Sequence, residues 1–239
     1  MSNTPISSKK RNQDEKSPRT ESKDIKPFIF TEEYLNLVSN KATAVSSQMI
    51  DFLSTNLNTC RSTLFIFPVQ FSSDCFQAVL NSQKIKDPKA RDESWTNFFH
   101  QSLNTKANTT VGSVLEDPEL GHLLFPMFNE KHNCWNLFQY NQDYNILTNL
   151  STFPNQTFPT TLETCLKKKI TNFDQVTRQF IEFPDEFKTS LNGTGVLIMK
   201  ILKEFIGATK TLVLPECESL EKEQIAIAKL LCAFHFSAS

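Results

Sequence analysis

The run Asn192–Ile206, NGTGVLIMKILKEFI, restricts this chain more than any other stretch. It opens as a turn bracketed by Gly193 and Gly195 and continues as an apolar segment with helical spacing. That pattern predicts a buried helix, which needs other elements packed around it. It also sets one side chain, Thr194, at a helix N-terminus, where nucleophiles and anions are favoured. Threonine there reads most simply as a helix N-cap.

A chain of 239 residues can form one large domain or two small ones with a sizeable core. Its formal net charge of -1 gives no global field that would attract nucleic acid or a membrane surface, so neither is an expected partner. Phe is the compositional outlier, at 21 residues against 3 Tyr, and a Phe-heavy core packs well while offering few polar handles. No apolar run approaches the roughly 18 residues of a membrane span, and no apolar leader segment is visible, so an intracellular setting is expected. The 6 Cys contain no CxxC pair, which fits reduced thiols. The sequons at Asn108, Asn149, Asn155 and Asn192 then read as accidents of an Asn- and Thr-rich composition.

Residues 1–27 are polar, charged and nearly free of large apolar groups, which predicts a disordered tail before a single domain over 28–239. Lys9, Lys10 and Arg11 form a short basic run that would suit nuclear import; otherwise the tail is simply solvated and the protein nuclear or cytoplasmic. The folded part opens with FIFTEEYLNLV. SSQMIDFLSTNL then predicts a helix with Ser46 or Ser47 as N-cap. TLFIFPVQF reads as a buried strand ending near Pro68. SSDCFQAVLNS reads as a helix capped by Ser72 or Ser73, with Cys75 facing the core. A polar loop NSQKIKDPKARDE, a helix ESWTNFFHQSL and a loop-like stretch NTKANTTVGSVLEDPELG follow. HLLFPMF, CWNLFQYN and YNILTNL are strand-like, and LETCLKKKITNFDQVTRQFIEF reads as one or two helices. SLEKEQIAIAKLLCAFHF closes the chain as an amphipathic helix capped by Ser219. Helices first, strands in the middle and helices last predict an α+β domain.

In that order, the segments resemble the papain-like cysteine proteases that process ubiquitin-like modifiers, the SUMO/NEDD8 protease family. SSQMIDFLSTNL is similar to the family's early helix, TLFIFPVQFSS to its aromatic strand, LLFPMFNEKHNCWNLFQY to the strands around its His-Trp pair, and GTGVLIMKILKEFI to the helix headed by its nucleophilic Cys. The likeness runs from about Ser46 to the C-terminus. It implies a papain-like fold, with a central mixed or antiparallel sheet flanked by helices.

The departures fall where the resemblance places the chemistry. The nucleophile's place is Thr194, the residue before it is Gly193 in place of the usual Asp, the oxyanion Gln falls near Lys188, and the orienting Asp falls near Ser151. The general base survives as His132 only with Asn133 and Cys134 inserted before Trp135. A threonine nucleophile usually relies on its own free amine as base, and Thr194 lies mid-chain. Loss of triad members costs on the order of 10⁴ to 10⁶ in turnover in hydrolases. The resemblance therefore implies a catalytically inactive domain that binds proteins as a scaffold or regulatory subunit. A ubiquitin-like modifier is a candidate partner, in a groove lined by Trp135, His132, Gly193 and Thr194. No cofactor or metal is expected, because His132 and Cys134 have no second ligand pair nearby in sequence. Two other readings stand beside this one. One is a working isopeptidase with rearranged residues, Cys134 among them. The other is an interaction module unrelated to proteases, which a fold without a helix starting near Thr194 and packed on a sheet would favour.

Overall fold

The computed structural model describes residues 45–60, 63–103, 109–153, 158–188, 193–205, 214–217 and 219–237. The expected tail with Lys9, Lys10 and Arg11, the FIFTEEYLNLV segment and the sequons at Asn108, Asn155 and Asn192 lie outside them.

In chain order the elements are α1 (Ser47–Cys60), β1 (Leu64–Ile66), α2 (Phe71–Lys84), α3 (Pro88–Phe99), α4 (Val111–Leu115), β2 (His122–Asn129), β3 (Cys134–Asn141), β4 (Ile146–Ser151), α5 (Thr160–Lys169), a 3-10 turn (Phe173–Gln175), β5 (Thr177–Glu182), α6 (Asp185–Lys188), α7 (Gly193–Glu204) and α8 (Leu220–Ser237). The strands form one five-stranded sheet in the order β1-β2-β3-β4-β5. The central pairings β2–β3 and β3–β4 are antiparallel, while β1 joins β2 and β5 joins β4 in parallel. The fold is α+β with a mixed sheet, and a helix beginning at Gly193 packs on that sheet.

Strand alternation divides the core into two layers. On one face Leu64, Ile66, Leu124, Trp135, Leu137 and Leu150 pack under α1, α7 and α8. On the other, Phe65, Leu123, Phe125, Phe138, Tyr140 and Leu147 pack under α2 to α5. The second layer takes up much of the Phe content: Phe67 stacks on Phe125 at 4.8 Å between ring centroids and lies 4.2 Å from Phe71. Within it Cys75 and Cys165 meet, and the Cys165 thiol, with burial, pushes the Cys75 thiol far up, so Cys75 stays protonated. All six cysteines are free. Covered on both faces, β3 is buried along its whole length. Among the described residues no helix is long and apolar enough to cross a membrane.

Several local expectations need correction. The segment expected to hold one or two helices, LETCLKKKITNFDQVTRQFIEF, holds one helix, α5, and then the strand β5, separated by Asn172 at φ 64°. β5 is an edge strand with mostly exposed side chains, so its sequence TRQFIE lacks the apolar alternation that marks a half-buried strand. α2 starts at Phe71, ahead of both serines proposed as its cap. The polar stretch after it is mostly helix: α2 runs to Lys84, and Asp87 accepts from Ala90 N–H at 3.0 Å to start α3. The loop-like stretch contains α4, fixed by a reciprocal capping box between Thr110 and Ser113. The caps on α1 and α8 are as expected, with Ser46 Oγ accepting from Met49 N–H at 3.3 Å and Ser219 Oγ from Lys222 N–H at 3.4 Å.

One buried ion pair ties α7 to α8. Lys200 is the single charged residue on the buried part of α7, and its ammonium donates to the Glu223 carboxylate, each residue under 9 % exposed. Burial disfavours the Lys200 charge, but Glu223 and the nearby Glu204 outweigh it and hold the ammonium above its ordinary range. Removing one partner strands the other charge in the core. Glu223→Leu is therefore expected to lower the unfolding free energy by roughly 3 kcal/mol in urea titrations. The double variant Lys200→Met with Glu223→Leu is expected to recover most of that loss.

Candidate functional site

β4 begins to pair with β3 only at Leu137, so the amide of Trp135 lies beyond that ladder and needs another acceptor. Thr194 supplies it. Its Oγ1 accepts from Trp135 N–H at 3.0 Å, with both residues 2 % exposed. The indole of Trp135 is fixed at its other end, where Nε1–H donates to the carbonyl of Val45 at 3.0 Å. Thr194 is the second residue of α7, so its side chain bonds across to the sheet and does not act as the N-cap that the sequence suggested.

The two glycines make this contact possible. A Cβ on Gly195 would lie 2.5 Å from Val45 Cβ and 2.9 Å from Trp135 Cδ1. A Cβ on Gly193 would run into the Phe187 backbone, 2.8 Å from its carbonyl carbon. The head of α7 is thus wedged between α6 on one side and Val45 and Trp135 on the other. Glycine is required by close approach here, not by backbone conformation.

The other sequence-identified residues lie apart from this contact. His132 is exposed in the turn joining β2 to β3; its amide donates to Asn129 O at 3.2 Å and its ring packs on Phe153 at 4.4 Å between centroids. Directly before Trp135 on the strand stands Cys134, 6 % exposed and paired with Asn129. Burial pushes its thiol above the ordinary cysteine range, with the Thr152 hydroxyl beside it partly offsetting that. Ser151 closes β4 and is fully buried; its Oγ accepts from Phe153 N–H at 3.0 Å and donates to Phe153 O at 3.2 Å. Lys188, at the end of α6, pairs with Glu182 and Asp185 at 2.6 and 2.8 Å. Among the described residues, no group of three or more His, Cys, Asp and Glu side chains converges closely enough to hold a metal ion.

No protein-family model matches the sequence, and no curated protein matches it. Solved structures do match its shape. The C-terminal Ulp1 protease domain in complex with Smt3, the yeast ortholog of SUMO, superposes with a TM-score of 0.55 at 10% identity, over 84% of this chain and 81% of that one. Ulp1 with its catalytic cysteine oxidised to a sulfonic acid gives 0.57 at 11% identity, over 84% and 82%. A de-sumoylating protease gives 0.50 at 10% identity, over 87% and 86%. The fold is that of the SUMO proteases.

Within this SUMO-protease-like fold, the structure joins Thr194, Gly193 and Trp135 and leaves His132, Ser151 and Lys188 with other partners. Sequence reasoning missed Val45, which covers the indole, and the close approach demanded by Gly195. The available signal was the spacing Gly-Thr-Gly, since two glycines around one buried side chain point to crowding on both sides. The placing of Cys134 as the first residue of the strand that carries Trp135 is as expected from CWNLFQYN. Two surface grooves, of about 410 and 470 Å³, lie on the Phe-rich layer among α2, α3, α4 and α5, and neither is lined by Thr194 or Trp135.

Chemically, the Thr194 oxygen is an acceptor for a buried backbone amide. Thr194→Val keeps the shape but leaves the Trp135 N–H without a partner, and is expected to cost roughly 1–3 kcal/mol of stability in chemical denaturation. Thr194→Ser, which keeps the acceptor, is expected to cost less.

Proposed function

We propose that this protein is a catalytically inactive SUMO-protease-like domain that acts by binding other proteins, as a scaffold or regulatory subunit. The observation that carries the reading is the use of Thr194 Oγ1 as acceptor for the Trp135 amide, with a buried thiol, Cys134, in place of an imidazole just before that Trp. A hydroxyl held this way has no imidazole beside it to take its proton, and a protonated thiol on the neighbouring strand position is a poor substitute for one. His132 and Ser151 contact Phe153, and Lys188 pairs with two carboxylates, so none of these three is placed to act as base, to orient one or to donate to an oxyanion.

The same geometry favours the scaffold over a reader of modifier tails. Trp135, Gly193 and Thr194, three of the four groove candidates, are buried, and the Trp135 indole faces Val45 rather than an open channel. His132 alone is accessible. Fold likeness does not transfer a substrate. Because Ulp1 is seen bound to Smt3, ubiquitin-like modifiers are still the first partners to test.

The test is turnover of SUMO, NEDD8 and ubiquitin carrying a C-terminal fluorophore, with a binding titration of each modifier in parallel. The wild type is expected to release no fluorophore above buffer, and so is Thr194→Cys, because a thiol placed there still lacks a base. Release by the wild type would overturn the reading in favour of an active isopeptidase. Saturable binding without release would identify a modifier as the partner, and absence of both would leave the scaffold role with other proteins.

A further inference from the structure

Among the described residues β5 forms one edge of the sheet and pairs only with β4. The amides of Thr177 and Phe183 point inward, to Asn145 O and Ser151 O at 3.0 and 3.1 Å. By the alternation of a strand, the N–H and C=O groups of Arg178, Phe180 and Glu182 all point outward. Among the described residues none of these outward groups takes part in a backbone hydrogen bond. The matching side chains share one face of the strand, and all three are exposed, with Phe180 at 37 %. An open edge of this kind is a template for another strand.

The sequence of that edge is complementary to itself. In an antiparallel pair of two β5 strands related by a two-fold axis at Phe180, Arg178 of each copy faces Glu182 of the other, and the two Phe180 rings meet at the axis. Each outward residue would then sit in a hydrogen-bonded pair, so the six-residue edge would close with its backbone satisfied. Shifting the register by two residues in either direction sets Phe180 against a charge and leaves one charge unopposed. We propose that β5 is a self-association edge, through which two copies of this chain join their sheets by antiparallel β5–β5 pairing. An isologous contact of this kind closes as a dimer and does not propagate. The existing ion pairs of Arg178 with Glu163 and of Lys188 with Glu182 extend the pairing into a row of alternating charge across the joint. The inference does not depend on the reading of Thr194.

The experiment is sedimentation equilibrium of the full chain over a wide concentration range, on the wild type and on charge variants shown to be folded by circular dichroism. The wild-type mass is expected to rise with concentration from 27.3 kDa towards twice that value. Arg178→Glu and Glu182→Arg are each expected to stay at the single-chain mass, since each places like charges opposite one another. The double variant carrying both changes restores opposite charges and is expected to regain the wild-type rise. Glu163→Gln, which removes the intramolecular carboxylate that Arg178 shares with Lys167 and leaves the β5 edge itself unchanged, is expected to behave as wild type. Phe180→Glu sets two carboxylates together at the axis and serves as the disrupting variant if either single charge change fails to fold. A wild type that stays at the single-chain mass throughout overturns the proposal. So does a rise that survives the single charge changes, or one that the double variant does not regain.

Discussion

The hydrogen bond from Trp135 N–H to Thr194 Oγ1 joins the head of the most apolar helix to the most buried strand. A backbone amide buried beyond the end of its ladder must find an acceptor, and the helix has to arrive at the right height to provide one. Gly193 and Gly195 allow that arrival by removing the side chains that Phe187 and Val45 would exclude. Once α7 is seated, Lys200 is carried into the same layer and demands Glu223 from α8. Val45, just before α1, is drawn in by the Trp135 indole. Three of the helices on this face therefore depend on how one hydroxyl meets one strand.

The opposite face is organised differently. There the Phe rings stack and cross with few hydrogen bonds to set their positions, and packing alone decides the arrangement. The polar residues that β3 carries into the interior, Asn136, Gln139 and Asn141, sit between the layers, and Gln139 reaches the buried ring of His122 at 2.8 Å. Asn141 Oδ1 accepts from the Tyr144 amide at 3.2 Å, while Asn136 Oδ1 and Gln139 Oε1 have no hydrogen-bond partner among the described residues.

The sequence was most legible where burial imposes a period. The three central strands, α1, α7 and the closing helix could be read from apolar spacing, and the caps Ser46 and Ser219 from side-chain chemistry. It was least legible at the sheet edge, where Arg178, Gln179 and Glu182 carry no apolar signal because the side chains of β5 are mostly exposed. At the candidate site, Thr194 and Trp135 could be singled out from the order of the segments, but not their contact. A bond between residues 59 positions apart depends on where β4 stops pairing, and nothing local encodes that. That His132 falls in the turn and not on the strand beside Trp135 follows from Asn133 and Cys134 standing between them, with β3 beginning at Cys134.

The central claim is that Thr194 holds the sheet and that no thiol in this fold acts as a nucleophile. It is tested most directly by incubating the purified protein with SUMO, NEDD8 and ubiquitin bearing a thiol-reactive electrophile at the C-terminus, and weighing the intact protein afterwards. The account predicts an unchanged mass with all three probes. An added mass of one probe, mapped to Cys134 or to any other cysteine, would contradict it.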